Sequence, residues 1–482
     1  MSQTVLLTHA VLAAGAPYAD QVSEGSYLQD IFYTIATAGL LLIVGGIGLI
    51  DAGLVRRKNL LDTWIQKLIS ALIGAGSMTI VGFGIWEWQY YQALGVPGSL
   101  QAALSDWSLF GASFLHNSQD LDPTNYPEQD VYQIFVAFFM AYTAVAGALL
   151  HSAGLERVKA SAIYIISAVA GGLVIPVCLY LTWGSVSPLT KLGVHDYIGV
   201  YSLYVVVGVW ALIIAWRAKP RLGAFALDAR TIGPVPHNAS VSALGVVLIM
   251  FGGIFAFLGC GYIVPGQGYF GISGTQSGFG LVVINIFMAY VGGGLGGAVI
   301  AYLTKSPAMA LLGVVAGCVG AGTSLDTGLP WQIFIVAFLA PFAVWGVSRL
   351  IHRIGVDEKK VVPLALGGGI YGALAGGIVG WGHSTGGFFG LKGEWALGVA
   401  SINIGWQILG LLVVIVIAAV TGLVVVLGIE FTIGLRVTEK QELAGLDATY
   451  WNSSTSPYDD ATPEPMHWSP SESTSRLSTP AT

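Results

Sequence analysis

Eleven apolar runs of bilayer-spanning length divide this chain, at about 30–50, 67–90, 131–152, 160–184, 196–216, 238–262, 278–303, 307–324, 331–350, 361–381 and 397–428. A hydrocarbon core about 30 Å thick takes roughly 20 apolar helical residues to cross. Backbone amides in lipid must find their partners within their own segment, which favours helices. The runs therefore predict an all-α membrane protein of eleven transmembrane helices. The eighth run is the shortest and most glycine-rich, and the last is long enough to tilt or project into water. Composition agrees: 10% of residues are charged, against about 25% in a soluble domain. Glycine, 66 of 482 residues, suits helices that approach closely in lipid.

Orientation follows from the basic residues, which concentrate in cytoplasmic loops. With the N-terminus outside, 18 of the 20 Lys and Arg fall on the inner side, Lys67 among the inner-loop residues, and Lys191 and Lys392 stay outside. The expectation is a multi-pass protein of the cell membrane, N-terminus out and C-terminus cytoplasmic. Residues 1–29 read as an extracellular segment with a candidate signal peptide: A-P-Y-A resembles a cleavage site, but the Lys/Arg-bearing start is missing. Residues 30–430 form the membrane domain, 431–450 a cytoplasmic regulatory segment, and 451–482 a disordered Ser/Thr/Pro-rich tail.

Several function classes drop out. Cys178, Cys260 and Cys318 all lie inside apolar runs and read as small buried hydrophobes, without disulfide or zinc spacing. No basic patch suggests nucleic acid. Glu87, in IWEWQYY, has no nearby acid, histidine or nucleophile in sequence, so no enzyme, catalytic residue, metal or cofactor is expected. The outer loop at 93–130 carries Asp106, Asp120, Asp122, Glu128 and Asp130 without Lys or Arg: a solvated loop, or an acidic mouth that concentrates cations.

The stretch GVHDYIGVYSLYVVVGVWAL (193–212) places one acid, Asp196, at the head of an uncharged run. Tyr197, Tyr201 and Tyr204 follow at i, i+4 and i+7, a spacing that stacks three phenols on one helix face, with Gly208 on the same line. Such a face either packs in a bundle or lines a pore.

Several stretches together resemble the ammonium transporter family (Amt/Mep/Rh). DAGLVRRKNLLDTWIQ (51–66) looks like its first cytoplasmic turn, and GLERVKASA (154–162) is similar to the A-x-E-R-x-[KR]-x-S-A lead into its fourth helix. The stretch at 193–212 follows G-V-x-D-[FY]-x-G-x-x-x-x-H in outline, and GLRVTEKQELAGLD (434–447) resembles the G-L-R-V-[ST]-x-x-x-E-x-x-G-L-D segment after the eleventh helix.

The resemblance implies two inverted five-helix repeats plus a long final helix, assembled as a homotrimer in the bilayer with one pore per subunit. It implies ammonium or net ammonia transport for nitrogen uptake, with an outer aromatic cage that recruits the cation. Two ring gates and two pore histidines complete the family's pathway. On that pattern Trp183 matches the recruiting tryptophan and Tyr142 the outer gate. Tyr262 matches the inner gate loosely, and Asp196 a structural aspartate beside Tyr197 and Tyr201 on the pore wall. The twin-histidine positions carry Tyr204 and Leu366, and IVPGQGYFG replaces the family's Asn-rich stretch after the sixth helix. His151, His195 and His383 lie near predicted helix ends and do not substitute for the missing pair.

A phenol with an unperturbed pKa near 10 relays protons poorly at neutral pH, and leucine does not relay them at all. Two functions follow as expectations. One is transport through a drier pore, for ammonia or another small neutral molecule. The other is a sensor that reports occupancy to a cytoplasmic regulatory protein through the C-terminal segment.

Overall fold

The computed structural model describes residues 24–115, 129–225, 236–264 and 266–453. Among these, ten helices are long and apolar enough to cross a membrane: α1 Leu28–Leu54, α2 Arg57–Ala93, α3 Val131–Ala153, α4 Ala160–Thr182, α5 Val200–Ala218, α6 Ala239–Leu258, α7 Phe279–Thr304, α9 Pro330–Arg353, α10 Val362–Val379 and α11 Ile404–Thr432. The eleventh, α8 (Pro307–Ala321), has 15 residues and coincides with the short, glycine-rich run. The candidate signal peptide and most of the polar tail lie outside the described residues.

The helices form two five-helix halves, with α11 added at the end. In the first half α2 packs on α3 and α4; in the second, α7 packs in the same way on α8 and α9. The halves meet where α1 runs along α6 and α5 runs against α10. A constant offset of 162 residues relates them at this junction (196 to 358, 204 to 366). Both α5 and α10 open with π-helical turns, Val200–Val205 and Val362–Gly367. Each turn is capped by an acid, Asp196 or Glu358, that accepts three backbone N–H groups or more. The free amides of a helix start need such acceptors, above all where no water reaches them.

Glycines set how closely the halves approach. A Cβ added at Gly39 or Gly46 on α1 would stand 2.6 or 2.7 Å from the α6 carbonyl oxygens of Gly252 and Gly245. Removing side chains there replaces them with backbone contact, the chief attraction between helices in lipid.

One end of the bundle, the hairpin end, carries short strands that apolar periodicity does not reveal. The run at 238–262 stops being helical at Leu258; the chain turns into β1 Gly261–Val264, which pairs antiparallel with β2 Gly268–Gly271, and β2 with β3 Gln276–Ser277. A second pair, β4 Ser384–Thr385 and β5 Ala400–Ser401, joins α10 to α11. Of the acidic loop, Asp120, Asp122 and Glu128 lie outside the described residues, and Asp106 accepts the Tyr91 hydroxyl at 2.5 Å.

The opposite, tail end is tied by ions. Glu156, in the α3–α4 turn, accepts Arg56 Nε (3.0 Å) and Asn59 Nδ2 (2.6 Å) from the α1–α2 turn and pairs with Arg221 (3.1 Å) beyond α5. Arg221 also grips Asp357 ahead of α10 at 2.8 and 3.0 Å. Burial pushes the Glu156 carboxyl up, but Arg221 and Arg56 hold it below its ordinary range. The segment after α11 folds onto this end. Arg436 pairs with Glu442 at 2.7 Å, and Asp447 accepts the backbone N–H groups of Leu61 and Asp62 at the start of α2 (3.1 and 2.7 Å).

Candidate substrate pathway

Helix α3 serves as a ruler through the molecule, because residues seven apart lie on one face about 10 Å apart along the axis. Phe135 lines a cavity at the hairpin end, Leu149 lines a small cavity toward the tail end, and Ser152 lines a vestibule beyond that. Tyr142 stands midway between Phe135 and Leu149.

The hairpin-end cavity, about 210 Å³, is walled by Tyr33, Trp86, Tyr90, Phe135, Tyr262 and Phe388. Trp86 and Tyr90, one turn apart on α2, supply rings from one face, and the hydroxyls of Tyr90 and Tyr262 bond at 2.6 Å. Tyr262 stands here at the level of Phe135, 6.3 Å between ring centroids, because β1 carries it back toward the hairpin end after α6 stops. It is a wall residue of this cavity and does not lie beneath Tyr142. Burial pushes its phenol well above the ordinary range, so the hydroxyl stays neutral. A box of π faces and hydroxyl oxygens attracts a small cation and can accept its hydrogens.

Trp183 does not line this cavity. It is fully buried beneath it, stacked on Tyr142 (5.2 Å between centroids, 21° between planes). Its indole N–H donates to the Tyr197 carbonyl at 2.9 Å, and its own carbonyl accepts Trp86 Nε1–H at 2.7 Å. Trp183 thus fixes the floor of the cavity and holds the Tyr142 ring stacked beneath it. Tyr142 is tied in turn to Ser202 Oγ at 3.1 Å and the Gly199 carbonyl at 3.2 Å.

The three phenols of the 197–204 stretch do not form one stripe. The helix begins only at Val200, and its first turn is π-helical, so an α-helical spacing does not apply. Tyr197, ahead of the helix, bonds Tyr269 through the hydroxyls at 2.6 Å. Tyr201 turns to α11 and donates to Gln407 Oε1 at 2.5 Å. Tyr204 alone of the three lines the small cavity, about 50 Å³, and its hydroxyl has no hydrogen-bond partner among the described residues. Asp196 is a helix cap, its oxygens accepting Gly199, Val200 and Tyr201 N–H at 3.1, 2.8 and 2.9 Å. Leu366 packs against Gly208 where α5 meets α10.

Among the described residues no histidine lines these cavities. His195 is buried against Asp326 in the α8–α9 turn (2.9 Å), His151 is buried in the last turn of α3, and His383 is exposed after α10. Below Tyr204 the small cavity is apolar, lined by Ile47, Leu149, Ile249, Val315 and Leu364, until Lys360. Lys360 also lines the tail-end vestibule, about 390 Å³, beside Arg157 and Arg221.

Two of these features escape a sequence reading yet leave a signal. Glu358 repeats Asp196 at the 162-residue offset, and Trp86 with Tyr90 is an i, i+4 aromatic pair. Lys67, expected in an inner loop, is buried within α2, 2% exposed, because α2 opens with a 3-10 turn at Arg57–Asn59 and its α-helical part, from Leu60, has completed about two turns by then.

A helical bundle of two five-helix halves, with an aromatic cavity at one end, a small apolar cavity within and a charged vestibule at the other end, defines a polytopic membrane protein of the transporter class. The Ammonium Transporter Family matches residues 31–455, and the chain belongs to that family. It is 25% identical over 424 residues to the ammonium transporter Amt1 of Methanocaldococcus jannaschii, covering 87% of this chain and 94% of that one. It is likewise 25% identical over 420 residues to the ammonium transporter of Bacillus subtilis (85% and 93%). Among solved structures, one described as "Sensor Amt Protein" superposes with a TM-score of 0.68 at 19% identity, covering 88% of this chain and 98% of the other. Mep2 of Candida albicans superposes with a TM-score of 0.67 at 17% identity, covering 88% of each. The two sequence relatives are named as ammonium transporters.

Proposed function

We propose that each subunit captures ammonium in the hairpin-end aromatic box and passes ammonia, as the neutral molecule, through the Tyr142–Tyr204–Leu366 middle to the tail-end vestibule. The carrying observation is the order along α3: an aromatic box, the Tyr142 ring stacked on Trp183, an apolar cavity and a charged vestibule at successive depths. A dry segment of about two helical turns costs an ion far more than a neutral molecule, so ammonium gives up its proton to the water at the hairpin-end mouth and only ammonia goes on. The Tyr204 hydroxyl, without a hydrogen-bond partner among the described residues, bonds ammonia on its way. The hairpin end faces outward and the tail end the cytoplasm, in line with the distribution of Lys and Arg. The working unit is a homotrimer, by analogy with the family, with lipid around it.

The test is uptake of labelled ammonium by ammonium-transport-deficient cells expressing this chain, with Leu366→Trp alongside. Uptake by the wild type and its loss in a folded Leu366→Trp are expected; absent wild-type uptake overturns the reading. A second reading, a sensor, is favoured by one observation: the segment holding Glu442 and Asp447 is bonded to Arg56, Leu61 and Asp62 at the start of α2, where a pore movement would reach it. In that reading a cytoplasmic regulatory protein binds the segment only when ammonium occupies the box. Unchanged binding with and without ammonium overturns it.

A further inference from the structure

Two lysines converge on one carboxylate inside the bundle. Asp51 of α1 is fully buried and takes Lys67 Nζ of α2 on one oxygen at 2.6 Å and Lys360 Nζ on the other. Lys67 is saturated, since its ammonium also donates to the Ala148 carbonyl at 2.8 Å and Ser152 Oγ at 2.9 Å. A single Lys–Asp pair would neutralise the carboxylate and tie α1 to α2. With both lysines protonated, as Lys360 is below about pH 7, the group carries one positive charge in surplus, a burial cost that marks the site as a candidate for function. The surplus is well placed, because Lys360 lines both the small cavity below Tyr204 and the vestibule beyond it. Lys360 stands, with Ile50 and Leu312, on the wall shared by the two cavities.

We propose that the Asp51–Lys67–Lys360 group is the specificity-determining charge of the pore, an electrostatic exit filter that turns back ammonium and other cations while uncharged ammonia leaves. This rests on the conduction reading above. The filter stands at the cytoplasmic end of the dry segment, where the family's histidine positions carry Tyr204 and Leu366. It takes over the rejection of charge without relaying a proton.

The test uses the full-length protein in proteoliposomes, wild type beside Lys360→Met, Lys67→Met and Lys360→Arg, each checked for monodispersity. Ammonium-evoked current and internal alkalinisation by ammonia are recorded in parallel at pH 6. That is below the value of about 7 to which burial pushes Lys360, so the native ammonium is charged. Either Met variant leaves Asp51 one lysine partner, so the bundle keeps a balanced pair. A unit charge near the path changes cation entry by about tenfold or more. The current should therefore rise at least about tenfold in both Met variants, with ammonia flux kept, and stay at the wild-type level in Lys360→Arg. A rise in Lys67→Met is the part a wall role of Lys360 alone would not produce. Unchanged current in folded, flux-competent Met variants overturns the filter. Current in Lys360→Met without wild-type ammonia flux would sink the conduction reading and keep the filter, whereas no current in any folded variant rejects the filter.

Discussion

Gly208→Ala probes the point where the two halves meet. A Cβ at Gly208 would lie 2.4 Å from the Leu366 backbone nitrogen and 2.7 Å from its Cα and Cβ. All three atoms belong to the opening turn of α10 or to its first side-chain carbon, so no flexible side chain can move aside. Restoring ordinary contact requires α5 and α10 to part by about 1 Å, and close-packed interiors charge roughly 1–3 kcal/mol for such overpacking. The displaced residues belong to the proposed pathway: Tyr204 lies one turn before Gly208, and Leu366 is the neighbour pushed. The assay is thermal unfolding in detergent by size-exclusion fluorescence, paired with ammonium uptake. A lower midpoint and at least about tenfold less uptake are expected. Gly346→Ala is the control, since its added Cβ meets nothing within 4 Å and it should keep wild-type stability within about 0.5 kcal/mol or gain slightly. Wild-type stability and uptake in Gly208→Ala would refute the claim that backbone contact here sets the pore.

Trp86→Leu removes one wall of the aromatic box and should raise the half-saturating ammonium concentration about 2–30-fold, the range of one cation–π contact, as read from uptake curves. Asp447→Ala strips the acceptor from two amides at the start of α2 and should cost about 0.5–2 kcal/mol, with faster proteolysis of the C-terminal segment; equal protease resistance would deny the latch. Glu156 has a folded pKa below its unfolded value, so its stabilisation is present above about pH 4.3 and is lost as pH falls through the folded value. Acid unfolding should show this loss, and Glu156→Gln should remove it together with roughly 3–5 kcal/mol at pH 7.

The membrane architecture was legible because lipid leaves the chain few options. Each uncharged run of about 20 residues becomes a helix, and even the 15-residue α8 appears as its own run between Lys305 and Asp326. The site was legible only in part. Tyr197, Tyr201 and Tyr204 read as one face on α-helical spacing, but a capped helix start at Val200 and a π turn send them to Tyr269, Gln407 and the small cavity. The strands escaped because GYIV and GYFG are too short and glycine-rich to alternate. Lys67 was hidden by its neighbours: the polar stretch 56–66 reads as loop, whereas its polar groups bond Glu156, Asp447 and the tail. No local pattern states that Asp51, Lys67 and Lys360, spread over more than 300 residues of chain, share one point in space.

The central claim is passage of neutral ammonia through a pore without a histidine pair. It is tested most directly by counting charge per ammonia delivered, with labelled ammonium and current recorded on the same wild-type proteoliposomes. Ammonia arriving with far less than one charge each, and flux persisting in Tyr204→Phe at a reduced rate, is the predicted result. One full charge per ammonia in the wild type would contradict the account.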